Sequence, residues 1–283
     1  MWNAVGNYAA RWFTIISCFG ILIVWGTASA QTPKELFGSA ASGSNKTVDH
    51  SAWDALLKSH VKPGPDGLNR VDYETFKDEG HSALKDYIST LVAVDPATLN
   101  RREQFALLAN LYNAKTIDIV LENYPVKSIK DISLGGGLLT VFTGGPWKAK
   151  VLKMKGVELS LDDIEHGILR PTFQDPRVHY AVNCASVGCP NLGAEAFTGD
   201  KLESQLDAAA RAYVNHPRGV KFGPSGLVAA SIYSWFDDDF GGSERGVIEH
   251  LRTYAEPDLA QKLESANSIS DYAYDWSLND AKQ

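Results

Sequence analysis

The run from Arg101 to Asn123, RREQFALLANLYNAKTIDIVLEN, constrains the fold more than any other stretch of this chain. Ala106, Ala109, Asn113, Ile117 and Val120 recur at the spacing of one helical face, and Pro125 follows the end. The spacing predicts a helix of about six turns. Asn113 is the exception on a stripe otherwise small or apolar. A buried amide without partners costs about 1–3 kcal/mol. It therefore either bonds a neighbouring loop, the commoner outcome, or orients a catalytic group or a water.

Further helices are predicted where apolar residues keep helical spacing: Trp53, Leu56, Leu57 and Val61; Leu84, Tyr87, Ile88 and Leu91; Leu202, Leu206, Ala209 and Tyr213; Val247, Leu251 and Tyr254. Pro63 to Gly67 forces a turn, MKGVEL reads as a hairpin about Gly156, and Gly226 to Ser231 as a short strand. Gly135-Gly136-Gly137 and Gly144-Gly145 bracket LLTVFT without the Gly-Lys-Ser/Thr of a phosphate loop. Ser160 and Asp163 fit a capping pair that opens a helix through Arg170, closed by Pro171. The aromatic closing stretch ISDYAYDWSLND is expected to be tied into the core. There is no internal repeat. These elements predict a single α+β domain over 48–283, with several helices packed around a small, mainly antiparallel sheet. Residues 31–47, rich in Ser, Gly and Ala, read as a flexible leader.

The first thirty residues differ in kind. Arg11 is their only charge, Trp12 to Trp25 form an apolar run shorter than a membrane span, and Ala28-Ser29-Ala30 offers small residues for cleavage. The expectation is a signal peptide over 1–30, cleaved after Ala30, and a periplasmic or secreted chain with no stable membrane span. Cys18 lies inside the apolar run and would be discarded with it. Loss of Arg11 moves the net charge from -7 to -8. An acidic chain is a poor partner for nucleic acid or an anionic membrane surface.

Two cysteines remain, both within DPRVHYAVNCASVGCPNL (175–192). Val178, Tyr180, Val182 and Cys184 alternate with His179, Ala181 and Asn183, which predicts a strand burying Cys184 and placing His179 on the opposite face. Cys189 follows on a loop beside Gly188 and Pro190 and is expected to be the accessible sulfur. Three readings of the pair stay open. A disulfide is the default in an exported chain. A nucleophilic thiol would need a nearby base, and His166, one turn after Asp162 and adjacent to Glu165, is the best imidazole, with His179 second. A metal site fits least, because the His-x4-Cys-x4-Cys spacing matches no standard zinc pattern. There is no G-x-S-x-G elbow and no G-x-G-x-x-G fingerprint, and no cofactor is expected. Asp237, Asp238 and Asp239 read as a capped, solvated helix end rather than metal ligands.

NLYNAKTIDIVLENYP (110–125), SLDDIEHGILRP (160–171), DPRVHYAVNCASVGCPNL (175–192), SWFDDDFG (234–241) and YDWSLN (274–279) together resemble domain-of-unknown-function family 547, over a span from about Trp53 to Asn279. The resemblance implies that Asn113, Glu165, His166, Arg170, His179 and Cys189-Pro190 occupy the family's motif positions. It carries no activity with it. A papain-like or transglutaminase-like cysteine hydrolase is an analogy only. Those enzymes place the nucleophile at a helix start before the histidine, whereas both cysteines here follow His166 and His179.

Two functions are therefore expected to compete. In the first, an exported thiol-dependent hydrolase or acyl transferase acts on a small molecule or peptide. Cys189 is its nucleophile, His166 its base, Glu165 or Asp162 the orienting group, and Asn113 or Asn183 a polar support. In the second, a non-catalytic binding or envelope protein uses a Cys184–Cys189 disulfide as a staple.

Overall fold

The computed structural model describes residues 31–134 and 145–282. Residues 1–30, where a signal peptide is expected, and the glycine-flanked LLTVFT stretch therefore lie outside the described residues. The described residues form one unit, which is α+β.

Its centre is the helix Arg101–Asn123, with the bounds its sequence predicts. Asn100 caps it, accepting a hydrogen bond from Glu103 N at 3.0 Å, and the extended Tyr124 followed by Pro125 stops it. Eighteen of its 23 residues are buried, so the helix has partners on every side rather than one apolar stripe. His81–Ala93 packs against it, and Ser51–His60 packs on His81–Ala93, with Trp53 stacked on Tyr87 at 5.8 Å.

The strands are fewer and shorter than one central sheet would need. Val61–Pro63 pairs antiparallel with Asn69–Val71 across the predicted turn, and Leu152–Met154 with Val157–Leu159 across the hairpin at Gly156. A third sheet joins Val220–Gly223 and Gly226–Ala230 antiparallel, then adds Asp271–Ala273 in parallel. The predicted small sheet is thus divided among three places, with pairing mainly antiparallel.

Residues 31–47, expected to form a flexible leader, contribute to the core. Thr32 caps the short helix Pro33–Leu36, Leu36 and Phe37 are buried, and Arg101 donates to the carbonyls of Phe37 (2.6 Å) and Gly38 (2.9 Å). Two apolar side chains hidden in a Gly- and Ser-rich segment outweighed its composition. Two hydrophobic clusters result. One surrounds the long helix, and the other gathers Tyr180, Tyr213, Tyr233, Phe240 and Leu251 beneath the helices Leu202–Val214 and Glu244–Tyr254. Among the described residues no helix is long and apolar enough to cross a membrane.

Candidate functional site

The Asp175–Leu192 stretch does not form the predicted strand. Val178–Ala181 is a helical turn, and all four of its residues are buried. Asp175 starts it, with its carboxylate accepting from Arg177 N at 2.8 Å and its carbonyl from Val178 N at 3.1 Å, and Pro176 suits a first turn. With burial on every side, alternating hydrophobicity carried no information about faces. From Asn183 the chain becomes a loop that doubles back: Asn183 Nδ2 donates to Pro190 O (2.6 Å), Asn183 Oδ1 accepts from Ala185 N (2.8 Å), and Ala185 takes φ +60°. Gly188 is required there, because a Cβ at this position would come within 2.8 Å of Asp275 N.

This loop forms one wall of a cleft of about 250 Å³ at the seam between the two hydrophobic clusters. Trp147, Trp235, Phe236, Tyr274 and Trp276 supply aromatic walls, and Asp162, Glu165, His166, His179, Cys184 and Cys189 supply the chemistry. Trp235 is 46% exposed and stacks on Trp276 with ring centres 5.6 Å apart.

Asp162, Glu165 and His166 arrive from a helix opened by reciprocal bonds between Ser160 and Asp163, the predicted capping pair, whereas His179 comes from the turn Val178–Ala181. Over Asp163–Leu169 this helix is wound as a π-helix, a geometry frequent at functional sites. It runs on through Pro171 to Phe173 and ends at Gln174 with φ +51°, three residues beyond the expected stop. Glu165 does not orient His166. It faces His179, with Oε1 3.6 Å from Nδ1, while Asp239 Oδ2 bonds His179 Nε2 at 2.7 Å and Arg170 Nε at 2.5 Å. His179 is 4% exposed and also stacks on Phe236 at 4.4 Å. Burial opposes its charge, but the bonds to Asp239 and Glu165 prevail and raise its pKa, favouring the imidazolium. Burial likewise opposes ionisation of Glu165, and His179, His166 and Tyr112 together overcome it, so its pKa is lowered. Asp239 is held well below the carboxylate range, chiefly by His179 and then, against some burial, by Arg170. Glu165, His179, Asp239 and Arg170 thus form a chain of alternating charge with both nitrogens of His179 engaged.

His166 is the freer imidazole, lining both this cleft and a polar cavity of about 430 Å³ that contains Arg170, Asp238 and Asp239. Arg170 Nη1 lies 3.3 Å from its Nδ1, and Asp162 Oδ1 lies 3.9 Å from its Nε2. A guanidinium can only donate, so Nδ1 accepts and the ring hydrogen is assigned to Nε2. In this arrangement His166 offers a donor, where the sequence led to expectation of a base.

Asn113 stands outside the cleft. Its Nδ2 donates to Ala181 O (2.9 Å) and its Oδ1 accepts from Asn183 N (2.8 Å), so it clamps the backbone that leads into the cysteine loop. Asn110 holds Phe197 N and O in the same way.

Cys184 and Cys189 are joined as a disulfide on the cleft wall. Their exposures reverse the sequence expectation: Cys189 is buried, at 5%, and Cys184 is half-buried. Cys184 N–H donates to Cys189 Sγ at 2.9 Å, and Tyr274 Oη lies 3.2 Å from Cys189 Sγ and 3.1 Å from Cys184 Sγ. Burial raises the pKa of Tyr274 and keeps it a phenol. Ser186 Oγ donates to Tyr274 Oη at 3.1 Å, which leaves the phenolic hydrogen for a sulfur.

Sequence reasoning missed Tyr274, Tyr112, Asp239 and the tryptophan walls as site residues. Asp237 and Asp238 are solvated as expected, but Asp239 turns inward to His179. Among the described residues, one group of potential ligating atoms comes together, away from the cleft, at His81, Asp118 and Glu122. There Asp118 bonds His81 (2.7 Å) and Lys115 (2.6 Å), and Glu122 pairs with Lys85 (2.9 Å), so ion pairs account for it.

The disulfide, the clamp of Asn113 and every member of the charge chain except Asp239 fall within a contiguous block of the sequence. Residues 96–214 match the family described as "Protein of unknown function, DUF547", in agreement with the resemblance carried by the sequence motifs. The matched block holds Asn113, Glu165, His166, Arg170, His179, Cys184 and Cys189, while Asp239 and Tyr274 lie beyond it. The chain matches no curated protein and no solved structure.

Proposed function

We propose that the cleft is the site of a thiol-dependent acyl transfer or hydrolysis in an exported protein, acting on a small ester, thioester or amide with an apolar or aromatic acyl group. The observation that carries this reading is that Cys189, His179 and the adjacent pair Glu165 and His166, from three segments, line one aromatic-walled cleft. The working form would be the reduced one. Cys189 as thiolate would be held by Cys184 N–H and Tyr274 O–H, the two donors nearest its sulfur. It would attack the substrate carbonyl carbon, forming a C–S bond, while His166 Nε2–H donates to the oxyanion that develops. Collapse expels the leaving group with its electron pair, and a water or an acceptor nucleophile then releases the acyl group. Glu165, His179, Asp239 and Arg170 act as positioning residues, since their charges are directed at one another. The aromatic walls would exclude water from the thioester intermediate.

The test uses reduced full-length protein and phenyl thioesters of small apolar acids. Turnover is expected from the wild type, loss to background for Cys189→Ser, and a fall of about 10²–10³ in kcat for His166→Ala, the typical effect of removing an oxyanion donor. Equal turnover by wild type and Cys189→Ser excludes the reading.

The closed bridge favours a second reading, in which the disulfide staples a binding cleft and no covalent chemistry occurs. A small five-residue step of this kind constrains the chain little, but it pins the turn. Under that reading, reduced and oxidised protein are equally silent toward thioesters.

A further inference from the structure

The two sulfurs of the bridge have different surroundings, and the difference assigns them different chemistry. Cys184 is the more exposed, and its Sγ has two hydroxyl neighbours, Tyr274 Oη at 3.1 Å and Ser186 Oγ at 3.3 Å, the hydrogen of the latter being directed to Tyr274. Cys189 is 5% exposed and alone receives the Cys184 N–H, at 2.9 Å, while it shares the Tyr274 hydroxyl, 3.2 Å away, with Cys184. In thiol–disulfide exchange the incoming thiolate needs access to one sulfur, and the other leaves faster the better its negative charge is stabilised. Access favours attack at Cys184, and the N–H donor favours departure of Cys189.

We infer that the Cys184–Cys189 bridge is a reducible switch, opened by an external dithiol whose thiolate attacks Cys184 Sγ and releases Cys189 as the thiolate. A bond forms between the reductant sulfur and Cys184 Sγ, and the S–S bond breaks with its electron pair passing to Cys189 Sγ. The reductant's second thiol, as thiolate, then attacks the reductant sulfur of the mixed disulfide. This closes a disulfide within the reductant and frees Cys184, which takes a proton from water. Two electrons pass from the dithiol to the bridge. The partner is thus a dithiol able to place one sulfur at the mouth of an aromatic cleft, where Trp235 stands half exposed beside Tyr274 at 4.8 Å. The switch rests on the thioester-forming reading only for its purpose, since opening the bridge is what supplies the Cys189 thiolate; the exchange itself is measured without any acyl substrate.

The probe is reduced glutathione, a monothiol that leaves the mixed disulfide in place. Folded, oxidised wild type is incubated with it, acid-quenched and mapped by fragment mass. The adduct is expected on Cys184 in about tenfold excess over Cys189. An adduct on Cys189, an even split, or a bridge that reacts only after unfolding in urea overturns the inference. Tyr274→Phe removes one donor from the leaving sulfur without removing its ring. Opening is expected to slow several-fold while the adduct stays on Cys184, and an unchanged rate overturns the role given to the phenol. If Cys184 is trapped as described while the reduced protein is silent toward thioesters, the acyl-transfer reading falls and the switch stands. If thioester turnover depends on Cys189 but the adduct maps elsewhere, the switch falls and the acyl-transfer reading stands.

Discussion

The buried amides of the long helix and the buried glutamate at its start are satisfied in the opposite way to the charged groups of the cleft. On Arg101–Asn123, Asn110 and Asn113 each hold one N–H and one C=O of a passing loop, and Glu103 accepts from Gly199 N and Val48 N. These side chains bond backbone. In the cleft, Glu165, His179, Asp239 and Arg170 bond one another, and His166 and the sulfurs retain faces toward open space. The first arrangement fixes where loops run. The second holds charge in place beside a cavity, which a fold would not need for stability alone.

Three perturbations separate the two regions. The largest effect is expected from His179→Ala, which removes the cation between Glu165 and Asp239 and leaves the buried Glu165 without its partner. Breaking a buried pair this way costs about 3–5 kcal/mol, measurable as a lower denaturant midpoint. A loss below about 1 kcal/mol, the range of surface pairs, breaks the contrast. Next come Asn113→Ala and Asn110→Ala, which strand a backbone N–H and C=O each. Losses of about 2–4 kcal/mol are expected for both, and similar values would sharpen the comparison, because one clamp adjoins the cysteine loop and the other does not.

The smallest effect is on pH dependence. His179 has a pKa raised above its ordinary 6.5, so its contribution is complete below that value and declines as pH rises through the folded pKa. Asp239 has a pKa lowered from 3.8, so its contribution is complete above that value and declines as pH falls through the folded pKa. Stability measured by urea unfolding is therefore expected to be greatest between these ordinary values. His179→Ala should flatten the alkaline decline. A wild-type curve that rises through neutral pH contradicts the imidazolium assignment.

The legibility of the sequence follows the same division. Arg101–Asn123 was read to its ends because capping by Asn100 and the stop at Pro125 are local, and the sequence already marked Asn113 as an amide requiring partners. The cleft depends on contacts distant in the chain. His166 and Asp162 were placed together by their spacing, and the structure keeps them within 3.9 Å. Glu165, by contrast, was assigned to the wrong imidazole, because His179 reaches it only once the predicted strand becomes a helical turn. Asp239 resembled its two solvated neighbours, and nothing local distinguishes it. Tyr274 reaches the sulfurs because Asp271–Ala273 joins the sheet in parallel beside Gly226–Ala230, a pairing that no local pattern announces. The disulfide default was legible from two cysteines in a short stretch, but their exposures were inverted by the misread strand.

The central claim is that Cys189, once reduced, attacks an acyl carbon in this cleft. The most direct measurement is the intact mass of the reduced protein after rapid mixing with a phenyl thioester, followed by fragment mapping. One acyl group on Cys189 is expected, absent from the oxidised protein and from Cys189→Ser. An unmodified Cys189 under conditions of thioester turnover, or an acyl group that forms equally on the Cys189→Ser protein, contradicts it.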